Sequence, residues 1–585
     1  MFKRFFVSLL GTIAGIWISV ISVVIIGSVC VGIMLSGDKK TTAVEKNSVL
    51  YIDLTGDIIE REANADFMTM LSRVEQKPQT LEDIVKSIQL SANDKKIEGI
   101  YIKCGGSSLG VASREEMMQA LRRFKESGKW IYAYGDAISQ GDYLLASAAD
   151  EIYLNPVGNV NIRGIGSLTP FFTGLLDKLG VKVQVVKVGT YKSAVEPFIL
   201  KEMSEAARLQ NKVYIDSIWS YYATTIADNR SIAPARVSAW ADSLTYAWTA
   251  EECITAGVIT KSAYGREFDK ILKAKSGIKE DDDIRLVSPS EYIAYNSSEF
   301  GDASDKHIAV YYAVGDIVDS GSEGIVGKTV VKDIVDLADD DNVEGLVLRV
   351  NSPGGSAFAS EQIWEALQYF KSKDKPFYVS MGDYAASGGY YISCGADSIY
   401  ADKTTLTGSI GVFGMIPDFS GLVTGKLGVT FSEVASSPNA AFMSLVEPMT
   451  PYQLGAMQKS VNEIYELFTS RVAEGRGMAV DSVKAIAEGR VWVGSSAVSL
   501  GLVDRIGSLT DCINDMADNL SLRHDRYVSY PSVDSDIFKA LMNETGRLDV
   551  AGMAFDKETL KALHAVKRLR EAAPVQARMT EIEIR

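Results

Sequence analysis

The spacing of apolar residues divides the chain into one continuous apolar run followed by a long alternation of two periods. After Lys3 and Arg4, no charge occurs from Phe5 to Gly37. About 20 apolar residues span a bilayer, so this run is long enough to cross one even when tilted. A cleaved signal peptide has an apolar region of about 7–15 residues and a small-x-small exit, and neither fits. An uncleaved anchor over residues 1–40 is therefore expected. Lys39 and Lys40 on the far flank balance Lys3 and Arg4, so charge alone does not orient it.

Beyond the anchor, short β-rich runs such as "GLVLRV" and "FYVSMG" alternate with stretches such as "SEQIWEALQYFKSK", whose apolar residues recur at helical spacing. The order of these units occurs twice. "SVLYIDLTGDIIE" (48–60) echoes "HIAVYYAVGDIVD" (307–319), and "IEGIYIKCGG" (97–106) echoes "VEGLVLRVNSPGG" (343–355). "ALRRFKESGKWIYAYGD" (120–136) echoes "ALQYFKSKDKPFYVSMGD" (366–383), and "WTAEECITAGVI" (248–259) echoes "WVGSSAVSLGLV" (492–503). Conserved order across such short strings marks an internal duplication. It predicts two tandem α/β modules of strand–helix repeats, over 48–262 and 307–522. The polar stretch over 263–306 is expected to be a linker, and 523–585 a tail outside the repeat.

Composition narrows the class. A net charge of −15 argues against nucleic acid as a partner, because phosphate binding needs a basic surface. The five cysteines are scattered singly, without CxxC or zinc spacing, and no HExxH or calcium loop occurs. A metal enzyme is therefore not expected.

The two copies differ where chemistry would sit. "GDYAASGGYYIS" (382–393) aligns with "GDAISQGDYLLA" (135–146), which sets Gln140 opposite Ser387 and Asp142 opposite Gly389. Taken alone, Ser387 suits a helix cap or a packing residue. A packing serine would more naturally face another small residue than a glutamine. "NSPGGS" (351–356) follows a predicted strand and precedes a predicted helix, where a Pro-Gly-Gly turn can direct backbone N–H groups at a developing oxyanion. Further on, "KLGVKVQVVKVGTYKSAVEPF" (178–198) aligns with "KLGVTFSEVASSPNAAFMSL" (426–445) from the shared "KLGV", and Lys192 faces Ala440. One half thus keeps a serine and the other a lysine. The three histidines, His307, His524 and His564, lie far from Ser387 in sequence, so Lys192 is the candidate base, reached across the junction between modules. Such a base must lose its proton far below the ordinary lysine value of about 10.4, which burial among Tyr191, Val195 and Phe198 would achieve. Ser409 in "TGSIGV" could hold the lysine; its counterpart is about Ile162. Lys192 also reads as a surface residue paired with Glu196 four positions on.

Together the anchor, "GTYKSAVEPF", "NSPGG", "AASGGYYI" and "TGSIGV" resemble the signal peptide peptidase A family, also called protease IV, in its long double-module form, and the resemblance covers nearly all of the chain. It implies a fold like the Clp protease–crotonase group, with modules of repeated ββα units behind a transmembrane helix. It implies a membrane-bound serine endopeptidase that uses no metal and no cofactor, with Ser387 as nucleophile, Lys192 as general base, and oxyanion donors near Gly354, Gly355 and Gly388. It also implies substrates that are released signal peptides and other apolar peptides. The assembly implied is a homo-oligomer, a tetramer by family likeness, on the outer side of the bacterial cytoplasmic membrane. Two other classes stay open on the residues alone: a crotonase-like acyl-thioester hydrolase, and a non-catalytic membrane scaffold.

Overall fold

The computed structural model describes residues 44–62, 78–296, 305–321, 323–532 and 575–579. The expected anchor lies outside the described residues, and among the described residues no helix is long and apolar enough to cross a membrane. Lys46–Arg585 forms one compact unit, built on three principal sheets.

The N-terminal sheet has six strands in the order 261–262, 151–161, 130–139, 97–107, 48–56, 286–287, all parallel. The C-terminal sheet has a parallel body on the same plan, in the order 491–493, 406–408, 377–386, 343–352, 307–314, 527–530, with 398–401 also paired to 377–386 and 491–493 antiparallel to 406–408. The strand runs read as nearly continuous hydrophobic segments because helices cover both faces of a parallel sheet. In Val343–Ser352, for instance, eight of ten residues are buried. Parallel neighbours need crossovers, and the amphipathic helices Leu81–Ser91 and Val111–Glu126 supply them in one half, Gly327–Asp339 and Ala357–Lys371 in the other.

Both halves also carry a helix of 26 residues, Glu205–Arg230 and Pro451–Arg476, each ending on a left-handed C-cap. The second packs Met457, Val461, Tyr465, Phe468 and Val472 into the main core.

The stretch 263–306 is more than the expected linker. It contains the helix Gly265–Lys275, whose Phe268 and Leu272 are buried in an aromatic cluster under the N-terminal sheet, and the strand Leu286–Val287, which pairs with Ser48–Gly56. The tail likewise opens on an ordered strand, Tyr527–Tyr530, paired with His307–Val314, and follows the helix Leu509–Leu520. The same helix-then-strand ending therefore closes both modules. In the first it is hidden by a two-residue strand beside the charged run "KEDDD".

The third sheet joins the halves. Its order is 325–326, 317–318, 354–356, 575–578, 412–418, 182–188. Lys182–Val188 of the first half runs antiparallel to Val412–Asp418 of the second, from Val188 opposite Val412 to Lys182 opposite Asp418. A second junction is ionic. Arg349, fully buried, pairs with Glu60 at 3.0 Å and Glu116 at 2.7 Å, while Asp383 accepts the Ala112 and Ser113 N–H groups at the start of a first-half helix.

Candidate active site

Ser387 ends the strand Phe377–Ala386 and precedes the short helix Gly388–Ser393. Its backbone sits at φ 56, ψ −114, a conformation that side-chain-bearing residues rarely adopt. Such strain persists only where the surroundings over-determine it, and it concentrates at functional sites. Two hydrogen bonds fix it here: Ser387 N donates to Gly408 O at 2.8 Å, and Tyr391 N donates to Ser387 O at 2.8 Å. The side chain makes no cap bond to the helix that follows. The helix-cap alternative is thereby removed, and the hydroxyl is left to point elsewhere.

It points at Lys192. The Nζ and Oγ atoms are 2.7 Å apart, within one chain, and both residues are buried. Lys192 reaches this place because the strand Lys182–Val188 is carried into the second half by the joining sheet, and the chain then turns sharply at Gly189 (φ 110). The turn is held from the second half. Tyr191 N donates to Glu488 O at 2.8 Å, and the Glu488 carboxylate accepts from Thr190 N at 2.9 Å and Thr190 Oγ1 at 2.5 Å. Gly489 packs so closely on the lysine that a Cβ there would lie 2.8 Å from Lys192 Cβ.

Among the described residues, the amine is bonded only by oxygens without formal charge. Besides Ser387, Nζ donates to Ser409 O at 3.1 Å and Ser409 Oγ at 3.2 Å. The Ser409 hydroxyl donates in turn to Gly489 O at 3.3 Å, which leaves its oxygen as an acceptor. A neutral amine has two N–H groups and one lone pair. In that uncharged form Ser409 would accept both N–H groups, and the lone pair would be free to accept the Ser387 hydroxyl proton. Glu196, the possible ion-pair partner, accepts from Ser204 N and Oγ at 3.1 and 2.7 Å instead. Burial with no compensating carboxylate holds the Lys192 pKa well below the ordinary lysine value.

Beside the serine lies the glycine turn. Gly354 (φ 100) has no room for a Cβ, which would come within 2.7 Å of Gly388 N, and a Cβ on Gly388 would lie 3.1 Å from Gly355 N. The Gly354 N–H is already engaged by Ser352 Oγ at 3.1 Å. The Gly355 and Gly388 N–H groups thus lie beside the same tight turn, and Gly354 allows their close approach.

The first half shows what such a cradle attracts. There the last three residues of the strand Ile97–Ser107 close around the buried Asp142 carboxylate, which accepts from Gly105 N at 3.2 Å, Gly106 N at 2.6 Å and Ser107 N at 3.4 Å. Asp142 stands where the second half has Gly389. Gln140, opposite Ser387, uses its Oε1 to accept from Arg163 N and Gly164 N at 3.0 and 2.9 Å. One half thus fills this cradle with its own aspartate side chain, while the other presents a serine and a lysine there.

Sequence reasoning brought together Ser387, Lys192, Ser409, Gly354, Gly355 and Gly388, and the structure groups all six. It missed the clamp. Glu488, Gly489 and Gln210, whose Nε2 donates to Tyr191 O at 3.2 Å and whose Oε1 accepts from Val491 N at 3.2 Å, hold the lysine turn. Gln210 lies on a long helix with nothing in its neighbours to single it out. "EGR" (488–490), two residues before the repeated "WVG", was the available signal.

Residues 123–279 and 369–523 match the sequence profile of peptidase family S49, and residues 317–402 match that of Clp protease. The chain is 35% identical over 521 residues to Protease 4 of Haemophilus influenzae, covering 85% of this chain and 83% of that protein. It is 35% identical over 525 residues to Protease 4 of Salmonella typhi, covering 86% and 84% respectively. It is 30% identical over 478 residues to the chloroplastic serine protease SPPA of Arabidopsis thaliana, covering 80% of this chain and 69% of that one.

Proposed function

The chain belongs to peptidase family S49, with two tandem modules of Clp protease-like α/β fold, and is a serine-type peptidase; from that premise we propose that Ser387 is its nucleophile and Lys192 its general base. The observation that carries this reading is the 2.7 Å approach of Nζ to Oγ in a buried pocket where, among the described residues, no carboxylate bonds the amine.

Hydrolysis then runs in two halves. The neutral Lys192 amine takes the Ser387 proton as Oγ adds to the scissile carbonyl carbon, and the oxygen of that carbonyl gains charge beside the Gly355 and Gly388 N–H groups. The C–N bond breaks, Lys192 returns its proton to the leaving amine, and an acyl-serine remains. Water adds next, giving its proton to Lys192. The acyl–Oγ bond breaks, Oγ recovers the proton, and a carboxylate leaves.

As substrates we assign apolar peptides, released signal peptides among them. The apolar run over 5–37 supports a membrane tether, which would raise the local concentration of membrane-derived peptides at the site. The tetrameric assembly and the position outside the cytoplasmic membrane belong to the same reading.

Purified full-length chain, Ser387→Ala and Lys192→Ala, each given a fluorogenic peptide, test the dyad. Both variants are expected to lose turnover by about 10²-fold or more. An acyl-thioester hydrolase would keep its activity in Lys192→Ala, and a scaffold would show no turnover in any form. Equal turnover in all three removes the dyad.

A further inference from the structure

The bonds that hold the lysine turn also run past it, to the strand that registers Ser387. Gln210 lies in the second turn of the helix Glu205–Arg230 and is buried. Its Nε2 donates to Tyr191 O at 3.2 Å and to Ser193 Oγ at 3.1 Å, so it grips the residues on either side of Lys192. Its Oε1 accepts from Val491 N at 3.2 Å. One amide thus commits both N–H groups to the first-half segment that carries the base and its carbonyl to the second half.

From Val491 the connection continues to the nucleophile. Val491 stands opposite Gly408 in the ladder between 491–493 and 406–408, and Ser387 N donates to Gly408 O at 2.8 Å. One residue further on, Ser409 N donates to Arg490 O at 2.7 Å, which sets the acceptor of the amine from the same segment. Residues 490 and 491 therefore register Ser387 and Ser409, and Gln210 registers Lys192 against them.

The helix that carries Gln210 is itself tied to the lysine turn. Glu196, buried and four residues after Lys192, accepts from Ser204 N at 3.1 Å and Ser204 Oγ at 2.7 Å. Ser204 Oγ in turn accepts from Ala207 N at 3.1 Å and caps the helix. The path from Lys192 through Glu196, the cap and Gln210 returns to Tyr191 and Ser193 as a closed ring. A shift of the lysine turn must break bonds at both ends of that ring, and any buried amide group left without a partner opposes the shift. The charged groups around the turn are engaged with other partners. Glu196 holds the cap, Glu488 holds Thr190, and the Arg490 guanidinium lies over the rings of Tyr191 and Trp492 at 5.1 and 4.1 Å.

We propose that Gln210 is a positioning residue for hydrolysis, which holds the segment bearing the base in register with the strand that anchors the nucleophile and acts through Tyr191, Ser193 and Val491 rather than on the reacting atoms. This rests on the dyad reading above. Its importance follows from geometry, because a misplacement of about 1 Å between reacting groups can slow a reaction by about 10²-fold.

Kinetics of the full-length wild type, Gln210→Met and Gln210→Glu on a fluorogenic peptide from pH 6 to 10 test it, with the Tm of each chain and with Lys192→Ala in the same series. Gln210→Met is close in volume and removes all three bonds. Its kcat at pH 7 is expected to fall by about 10–10²-fold, with KM within about twofold of wild type. A lysine freed from the bridge gains water, so the rising limb of the pH–rate profile is expected to move up by about one pH unit or more, with kcat partly recovered at pH 10. Gln210→Glu keeps the shape and the acceptor for Val491 but loses the donors, and a carboxylate there favours the ammonium form. Its limb is expected to move in the same direction. A side chain that only packs would lower Tm and leave the limb in place. A limb that stays in place in a folded variant, or a kcat within about threefold of wild type, overturns the proposal; if Gln210→Met does not fold, Gln210→Glu decides. Loss of turnover in Lys192→Ala beside either of those results leaves the dyad standing, and turnover retained in Lys192→Ala overturns both.

Discussion

Ser409 presents both of its oxygens to the Lys192 amine, its carbonyl at 3.1 Å and its hydroxyl at 3.2 Å. In the proposed dyad this would aim the lone pair of the uncharged amine: Ser409 accepts the N–H groups, and the Ser387 hydroxyl donates to the lone pair. Ser409→Ala removes one acceptor and leaves the other. A fall in kcat of about tenfold is expected, the scale of one lost hydrogen bond. The ammonium form loses more from this change than the amine, so the rising limb of the pH–rate profile should also move to lower pH. A variant that merely loosened packing would lower kcat and leave the limb in place.

The rate should rise with pH through the lowered pKa of Lys192, because only the uncharged amine accepts a proton. A kcat/KM profile from pH 6 to 9 on the full chain checks this. A flat profile there removes Lys192 as base.

The same burial has a cost in stability. In the unfolded chain a lysine keeps its proton up to about 10.4, whereas the folded pKa of Lys192 is well below that. Between the two values the unfolded state binds more protons, so this residue works against folding at neutral pH and does so less as pH rises. Lys192→Met, close in length and volume, is expected to abolish hydrolysis by about 10²–10⁴-fold. It should also raise Tm above wild type at pH 7, with the gain shrinking toward pH 10. Paired calorimetry and turnover measurements check both effects.

Arg349 should be the most sensitive position at the ionic junction. Its removal leaves Glu60 and Glu116 buried without their guanidinium partner. Arg349→Met is expected to cost about 3–5 kcal/mol, as for other broken buried ion pairs. Urea unfolding followed by fluorescence reads this directly.

Gln140→Ser should not create a second active site. The Asp142 carboxylate already fills the loop that would stabilise an oxyanion, through the Gly105, Gly106 and Ser107 N–H groups. In a Ser387→Ala background, a serine-directed phosphonate is expected to leave residue 140 unlabelled. Labelling there would show that the first-half loop does not need to be vacant.

Much of this was legible in the sequence because the chain contains its own comparison. Ser387 against Gln140, and Lys192 against Ala440, are differences between copies, and they mark chemistry where a single copy would show only a serine near glycines. What stayed hidden depends on contacts between residues far apart in the chain. Asp142 reads as a substituted glycine until its carboxylate is seen inside the loop. The helix Gly265–Lys275 carries only two buried residues, Phe268 and Leu272, in a charged stretch, too few to show a periodic face. The strand Val575–Arg578 is short and polar at alternate positions, and its place in a sheet is set by partners more than 150 residues away.

The antiparallel ladder between Lys182–Val188 and Val412–Asp418 also sets when the molecule becomes dangerous. Synthesis delivers the lysine long before the serine, and on the proposed dyad the two would meet only once the later strand has docked on the earlier one. A chain that ended before that strand would then lack hydrolytic capacity.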